Sequence, residues 1–197
     1  ETISMTLGNV GADSIGSNEV EGASAGYGVA ADSTLAASFT ANVAGGTLKA
    51  VGFSNTLTVG AAATTTATAE QINSAGWGIE AEASVTTTLT AFDTASGGVL
   101  SIGDSDFDLA AFNGDIDKLA EEMNKVGIEA TVDSSSSLTF TAKNVDGAEL
   151  AAFATGTAVL GGGSAAGAQS VTSELKLTSG EDFVLTGTNV DDILNLT

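Results

Sequence analysis

The chain contains no cysteine, no proline and no histidine, and its five basic residues are all lysine. Each absence excludes something. Without Cys there is no disulfide, and without Cys and His the usual zinc, copper and haem ligands are missing, as are thiol nucleophiles and Ser-His-Asp chemistry. Without Arg, and with Lys scattered, there is no phosphate-tracking surface, so nucleic acid and anionic membrane are poor partners. Without Pro the chain is not a polyproline stalk or linker. No apolar run approaches the roughly 18 residues of a membrane-spanning helix. The first residues, Glu1-Thr2-Ile3-Ser4-Met5, lack the basic and apolar regions of a secretory signal. They open directly on an alternating pattern rather than on an initiator Met, so the chain is expected to be processed or cut from a longer one.

What is present is acidic and small-residue-rich. Twenty-five Asp and Glu against five Lys give a formal charge of −20 over 197 residues, and Gly numbers 25. A hydrophobic fraction of 43% and a mean hydropathy of +0.25 are too apolar for an acidic disordered tail. The length suits one ordinary domain or two small ones. Much of the apolar content is Ala, so the core rests on eight Phe, Trp77, Tyr27 and scattered Leu, Ile and Val.

The organisation is set by an internal repeat. Gly45 to Gly52 (GGTLKAVG) answers to Gly97 to Gly103 (GGVLSIG), and Ala69-Glu70-Gln71-Ile72-Asn73 to Ala120-Glu121-Glu122-Met123-Asn124. Gly78 to Ala83 answers to Gly127 to Val132, and Leu89 to Phe92 falls beside Leu138 to Thr141. Each copy reads as two short strands (47–51 and 55–59; 98–102 and 106–112), a helix, a glycine, and two more strands (78–85 and 87–92; 127–132 and 137–142). The expected fold is α+β and β-rich: two duplicated β-β-α-β-β modules of about 50 residues, each marginal alone, with flanking strands and Gly/Ala/Ser-rich loops. The expected divisions are 1–44 (a strand at 1–7, a loop, and a strand at 35–43), 45–95 (first module), 96–147 (second module) and 148–197. The last comprises an Ala/Gly-rich segment and a hairpin of Glu174–Thr178 with Asp182–Thr186.

The second helix is the clearer. Ile116, Leu119, Ala120, Met123 and Val126 recur at i, i+3, i+4, i+7, with Asp115 or Asn113 as cap and Gly127 as stop. Asp117 and Lys125 suit its two ends, and Lys118–Glu122 and Glu121–Lys125 are i,i+4 pairs. In the first helix Ala69, Ile72 and Ala75 form the apolar side, Thr68 and Gln71 a capping box, and Gly76 the stop.

Candidate chemistry is sparse. Asp104, Asp106 and Asp108 form a D-x-D-x-D run, but an EF-hand loop needs Gly sixth and Glu twelfth, where Leu109 and Asp115 stand. Strand alternation instead turns these carboxylates outward and Phe107 inward. Glu80 and Glu82 share one strand face, as do Glu129 and Thr131, whereas a glycosidase pair spans a cleft. Glu121 and Glu122 read as a solvated helix face. Gly161-Gly162-Gly163 lacks the Lys-Ser/Thr of a phosphate loop. Asn195-Leu196-Thr197 is a single glycosylation triplet. Trp77 is expected to pack over Ala-rich surface. The tracts Thr64–Thr66, Thr86–Thr88 and Ser134–Ser137 suit solvent-facing strands and turns, and are possible acceptors of O-linked sugars. No catalytic, cofactor-binding or metal residue is assigned, and the chain is read as non-enzymatic.

The duplicated unit resembles a module of bacterial flagellins and hook-associated proteins. The resemblance is carried by Ile72-Asn73 and Met123-Asn124 at the helix ends and by Gly78–Ala81 and Gly127–Ala130 in the strands that follow. The opening ETISMTLGNVGADSIG is similar to the entry into the variable outer region of flagellins, and the stretch Leu175 to Phe183 to its return. It covers most of 1–16, 45–142 and 174–186. The resemblance implies a structural part of the flagellar filament, extracellular, secreted without a cleaved signal and presenting antigen, in a motility organelle. It also implies self-assembly with other flagellin subunits through long terminal helices, which this chain lacks. Alternatives are a hook-associated or filament-cap segment, or a secreted carbohydrate- or calcium-dependent adhesion module.

Overall fold

A computed structural model describes residues 18–21, 27–152, 156–163, 167–190 and 193. The expected strand at 1–7 and the triplet 195–197 lie outside the described residues. In chain order the elements are β1 (Asn18–Glu21), β2 (Ala30–Ala31), α1 (Leu35–Asn42), β3 (Gly46–Ala50), β4 (Leu57–Val59), α2 (Thr65–Ser74) and β5 (Ile79–Thr90). There follow β6 (Val99–Ile102), β7 (Ser105–Asp108), α3 (Leu109–Phe112), α4 (Ile116–Lys125), β8 (Glu129–Val132) and β9 (Leu138–Lys143). The last are β10 (Gly147–Leu150), β11 (Val159–Leu160), β12 (Gln169–Thr172), β13 (Glu174–Ser179) and β14 (Leu185–Thr188). The fold is mixed α+β and β-rich, with several sheets.

The helix at 116–125 forms as its periodicity dictates. Ile116, Leu119, Ala120 and Met123 are buried, and Asp115 caps the start by accepting from the Lys118 N–H. Val126, expected on the same stripe, is 56% exposed, because the helix has already unwound towards Gly127 (φ 88°). Both lysines pair with other carboxylates than expected, Lys118 with Asp115 instead of Glu122 and Lys125 with Glu122 instead of Glu121, each at i,i+3. All of these groups are solvated, so such pairs stabilise little.

Five expectations are corrected. The expected strand 106–112 ends at Asp108, which caps α3 (Leu109–Phe112) through the Ala110 N–H. Residues 35–42 form α1, not a strand. Leu35 and Phe39 fit a helical spacing as well as an alternating one, and Thr34 caps the helix by accepting from Ala37 N–H. The cap of α2 is Thr64, a full turn before the expected Thr68, which is buried mid-helix. The expected strand pair 78–85 and 87–92 is one continuous strand, β5, since no residue at 85–87 turns the chain. The two C-terminal strands do not form a hairpin: β13 lies between β1 and β5, whereas β14 pairs with β3.

The described strands form three antiparallel sheets. One runs β1-β13-β5-β9-β8, with β11 also on β5; the second β2-β12-β10-β6-β7; the third β14-β3-β4. Two cores result. Ile72, Trp77, Ile79, Ala81, Leu175 and Leu177 belong to one, with Tyr27 and Phe39. Leu119, Met123, Leu138, Phe140, Leu100 and Leu150 belong to the other. The strand β5 serves both, with Ile79 and Ala81 in the first core and Val85 and Leu89 in the second. Its alternation buries every second residue along all twelve positions.

Candidate functional site

The positions that carry the sequence signature are the best-defined local geometry. Near the end of α2, Asn73 Oδ1 accepts from the Ala81 N–H (2.7 Å) while its Nδ2 donates to the Ala81 carbonyl (2.9 Å). Near the end of α4, Asn124 Oδ1 accepts from the Ala130 N–H (3.1 Å) and its Nδ2 donates to the Ala130 carbonyl (2.9 Å). Both side-chain amides therefore stand in for a neighbouring strand, satisfying a backbone donor and acceptor at a strand edge. Asn is suited because one planar group carries both functions. Ile72 and Met123, one residue earlier in each helix, are fully buried.

The two connections differ in length. Ala81 lies eight residues after Asn73, and Ala130 six after Asn124. The longer one turns at Gly76 and Gly78, each with φ of 71°, and sends Trp77 into the core between them. The indole is 4% exposed and donates to Asn55 Oδ1 at 2.9 Å. Trp77 is thus a packing residue with its N–H satisfied, as expected.

The acidic candidates separate. Phe107 is buried while Asp106 and Asp108 point outward, as the alternation predicts. Asp106 accepts from Ser101 Oγ at 2.6 Å, and Asp108 caps α3 through the Ala110 N–H. Glu80 and Glu82 lie on the outer face of β5, opposite the buried Ile79, Ala81 and Ala83, and Glu82 pairs with Lys143 at 2.8 Å. Glu129 and Thr131 are exposed on β8. Glu121 and Glu122 lie on the solvent side of α4. Gly161 and Gly162 turn the chain after β11, and no helix begins there. Among the described residues no group of three His, Cys, Asp or Glu is arranged to hold a metal.

Two carboxylates not singled out in the sequence have the more specific partners. Asp146 Oδ1 accepts from both Thr66 N–H (3.0 Å) and Thr66 Oγ1 (2.6 Å) at the start of α2. Glu149 Oε2 accepts from Leu35 N–H (2.7 Å) at the start of α1. Both helix N-termini, where the macrodipole is positive, are docked onto acidic groups of one segment, 146–149. They border a cleft of about 490 Å³ that Asp104 also lines. The Asp146-Gly147 dipeptide marks a turn, but nothing local signals a partner 80 residues upstream.

The Thr64–Thr66 tract, expected to face solvent, is the start of α2. Thr65 is buried and donates to the Ser173 carbonyl. In Thr86–Thr88 the outer two face outward and Thr87 is buried. Thr86 and Thr141 hydrogen-bond across β5 and β9 at 2.9 Å. Ser134–Ser137 form the β8–β9 turn, where the Ser135 and Ser137 N–H groups donate to Asp133 and hold its carboxyl below the usual range.

Among the described residues Tyr27 is the most perturbed titrating group. It is 2% exposed, its ring meets Phe39 edge-on with centroids 6.1 Å apart, and its hydroxyl lies 2.6 Å from Thr68 Oγ1. Burial pushes its phenol up to about 12, against the lowering effect of the Thr68 hydrogen bond. This arrangement welds α1 to α2, and the charge of Asp146 also pushes the phenol up.

Set beside known proteins, the sequence matches no protein-family model and no curated protein.

Proposed function

We propose that the chain is the outer, solvent-exposed portion of a bacterial flagellin, a structural component of the flagellar filament outside the cell, with no catalysis of its own. The observation that carries this reading is the pair of Asn amides. The Ile72-Asn73 and Met123-Asn124 positions on which the resemblance rests each close a helix onto the following strand with the same reciprocal hydrogen bonds. The motif therefore has a physical role in both places.

The surface supports the same reading. A charge of −20 repels like subunits at close range, but suits units spaced outward in water, where salt screens charges beyond about 8–10 Å. Assembly would run through the long terminal helices that flagellins carry, and these 197 residues would contribute surface and antigenicity. Any O-linked glycans would fall on outward hydroxyls such as Thr86, Thr88 and Ser134–Ser137.

The test is the gene on either side of this region. Long amphipathic helices encoded on both sides are expected. Their absence from either side overturns the reading.

A further inference from the structure

Four large hydrophobic residues among the described residues are strongly exposed, and three of them, Val51 (61%), Phe53 (40%) and Val184 (60%), sit together. The cause is local. The chain turns tightly after β3 at Val51-Gly52, with Gly52 at φ 95° and the Phe53 N–H donating to the Ala50 carbonyl at 3.2 Å. Turn tips are ordinarily polar, yet this one carries Val and Phe. The Val51 N–H donates to the Val184 carbonyl at 2.9 Å, which brings the second Val alongside the first. Beside them lies a cleft of about 400 Å³, with Trp77 and Phe183 in its wall.

The charged residues that line this cleft have one sign. Its charged lining residues are Glu181 and Asp182, and no lysine lines it. The whole chain carries −20, so a second copy of itself would bring like charge onto an acidic rim. An apolar centre with an acidic rim is complementary to an apolar segment carrying positive charge.

We propose that the cleft walled by Val51 and Phe53, together with Val184 exposed beside it, is a docking surface for a basic, amphipathic segment of a protein partner, its apolar side chains seated on Val51, Phe53 and Val184 and its lysine or arginine groups facing Glu181. The proposal stands independently of the flagellin reading, since it uses only this surface and the charge of the chain.

The test uses the intact 197-residue chain with a designed Lys/Leu amphipathic peptide as probe, followed by calorimetry and backbone amide NMR. Saturable one-site binding is expected, weakening with salt, with shifts centred on Val51, Phe53 and Val184. A Val51→Ser/Val184→Ser double variant is expected to lower affinity by about tenfold, from the apolar area lost at the contact. Both positions are exposed, so the fold should survive. Glu181→Lys provides a second arm that leaves the apolar centre intact: it should weaken the Lys/Leu peptide and strengthen a Glu/Leu counterpart. Absence of saturable binding overturns the proposal, as does equal binding of the two peptides by the unmodified chain. Affinity unchanged in both the double variant and Glu181→Lys also overturns it, as does self-association through this face without peptide.

Discussion

Tyr27 is the chain's one tyrosine, so its ionisation is spectroscopically isolated. Burial keeps the phenol neutral up to about 12 in the folded protein, against an ordinary value of 10.0, although the short Thr68 contact acts in the opposite direction. Between these two values the folded chain retains a proton that the unfolded chain has released. The contribution to stability is therefore fully present below about pH 10 and is lost as pH rises through about 12. At 1.36 kcal/mol per pKa unit it amounts to about 3 kcal/mol, a substantial part of the total stability of a small domain. Lys118, Lys125 and Lys143, raised by their partners Asp115, Glu122 and Glu82, lose stabilisation in the same direction. They do so equally in a Tyr27→Phe variant, so the difference between the two proteins isolates the phenol. Tyrosinate absorbance followed against pH in buffer should show a midpoint near 12, moving to near 10 in denaturing urea. Urea unfolding at moderately and strongly alkaline pH should show a steeper loss in the unmodified protein than in Tyr27→Phe. A native midpoint near 10, or identical pH slopes in the two proteins, would refute the packing of α1 on α2 described here.

Three further perturbations probe the remainder of the fold. Asn73→Ala and Asn124→Ala should each destabilise by about 1–2 kcal/mol in urea unfolding, since each strands one backbone donor and one acceptor; water reaching these part-exposed sites keeps the figure moderate. Equal stability of both variants would deny the clamps their role. Asp146→Ala should cost about 1–2 kcal/mol by the same measurement and increase amide exchange first at Thr66, because two hydrogen bonds at the α2 N-terminus disappear. Gly147→Ala should prevent normal folding or cost more than about 3 kcal/mol, because its Cβ would lie 2.2 Å from the Val171 carbonyl oxygen at a φ of 149°. Wild-type circular dichroism and thermal midpoint in that variant would contradict the β10–β12 pairing.

What the sequence made legible was local. The helix α4 was readable because its apolar spacing, acidic cap and glycine stop all agree. The inward Phe107 and outward aspartates of β7 followed from alternation alone. The Asn signature was visible as repeated letters, although its reciprocal bonding to Ala81 and Ala130 needed the geometry. What stayed hidden was set at long range. Residues 35–42 satisfy two periodicities, and the choice falls to Glu149, over a hundred residues later, which bonds the Leu35 N–H. Glu174–Thr178 and Asp182–Thr186 look like hairpin partners because they are close in sequence, yet β13 pairs with β5 and β14 with β3. The exposed Val51 and Val184 lie in different parts of the chain, and only the β3–β14 pairing brings them together.

The central claim is that this chain forms the outer face of a flagellar filament. Antibodies raised against the purified chain, applied to intact cells of the source organism and followed by immunogold electron microscopy, test it most directly. Gold distributed along the full length of the filaments is the predicted result. Gold confined to the tip or hook junction, or absent from filaments altogether, would contradict it.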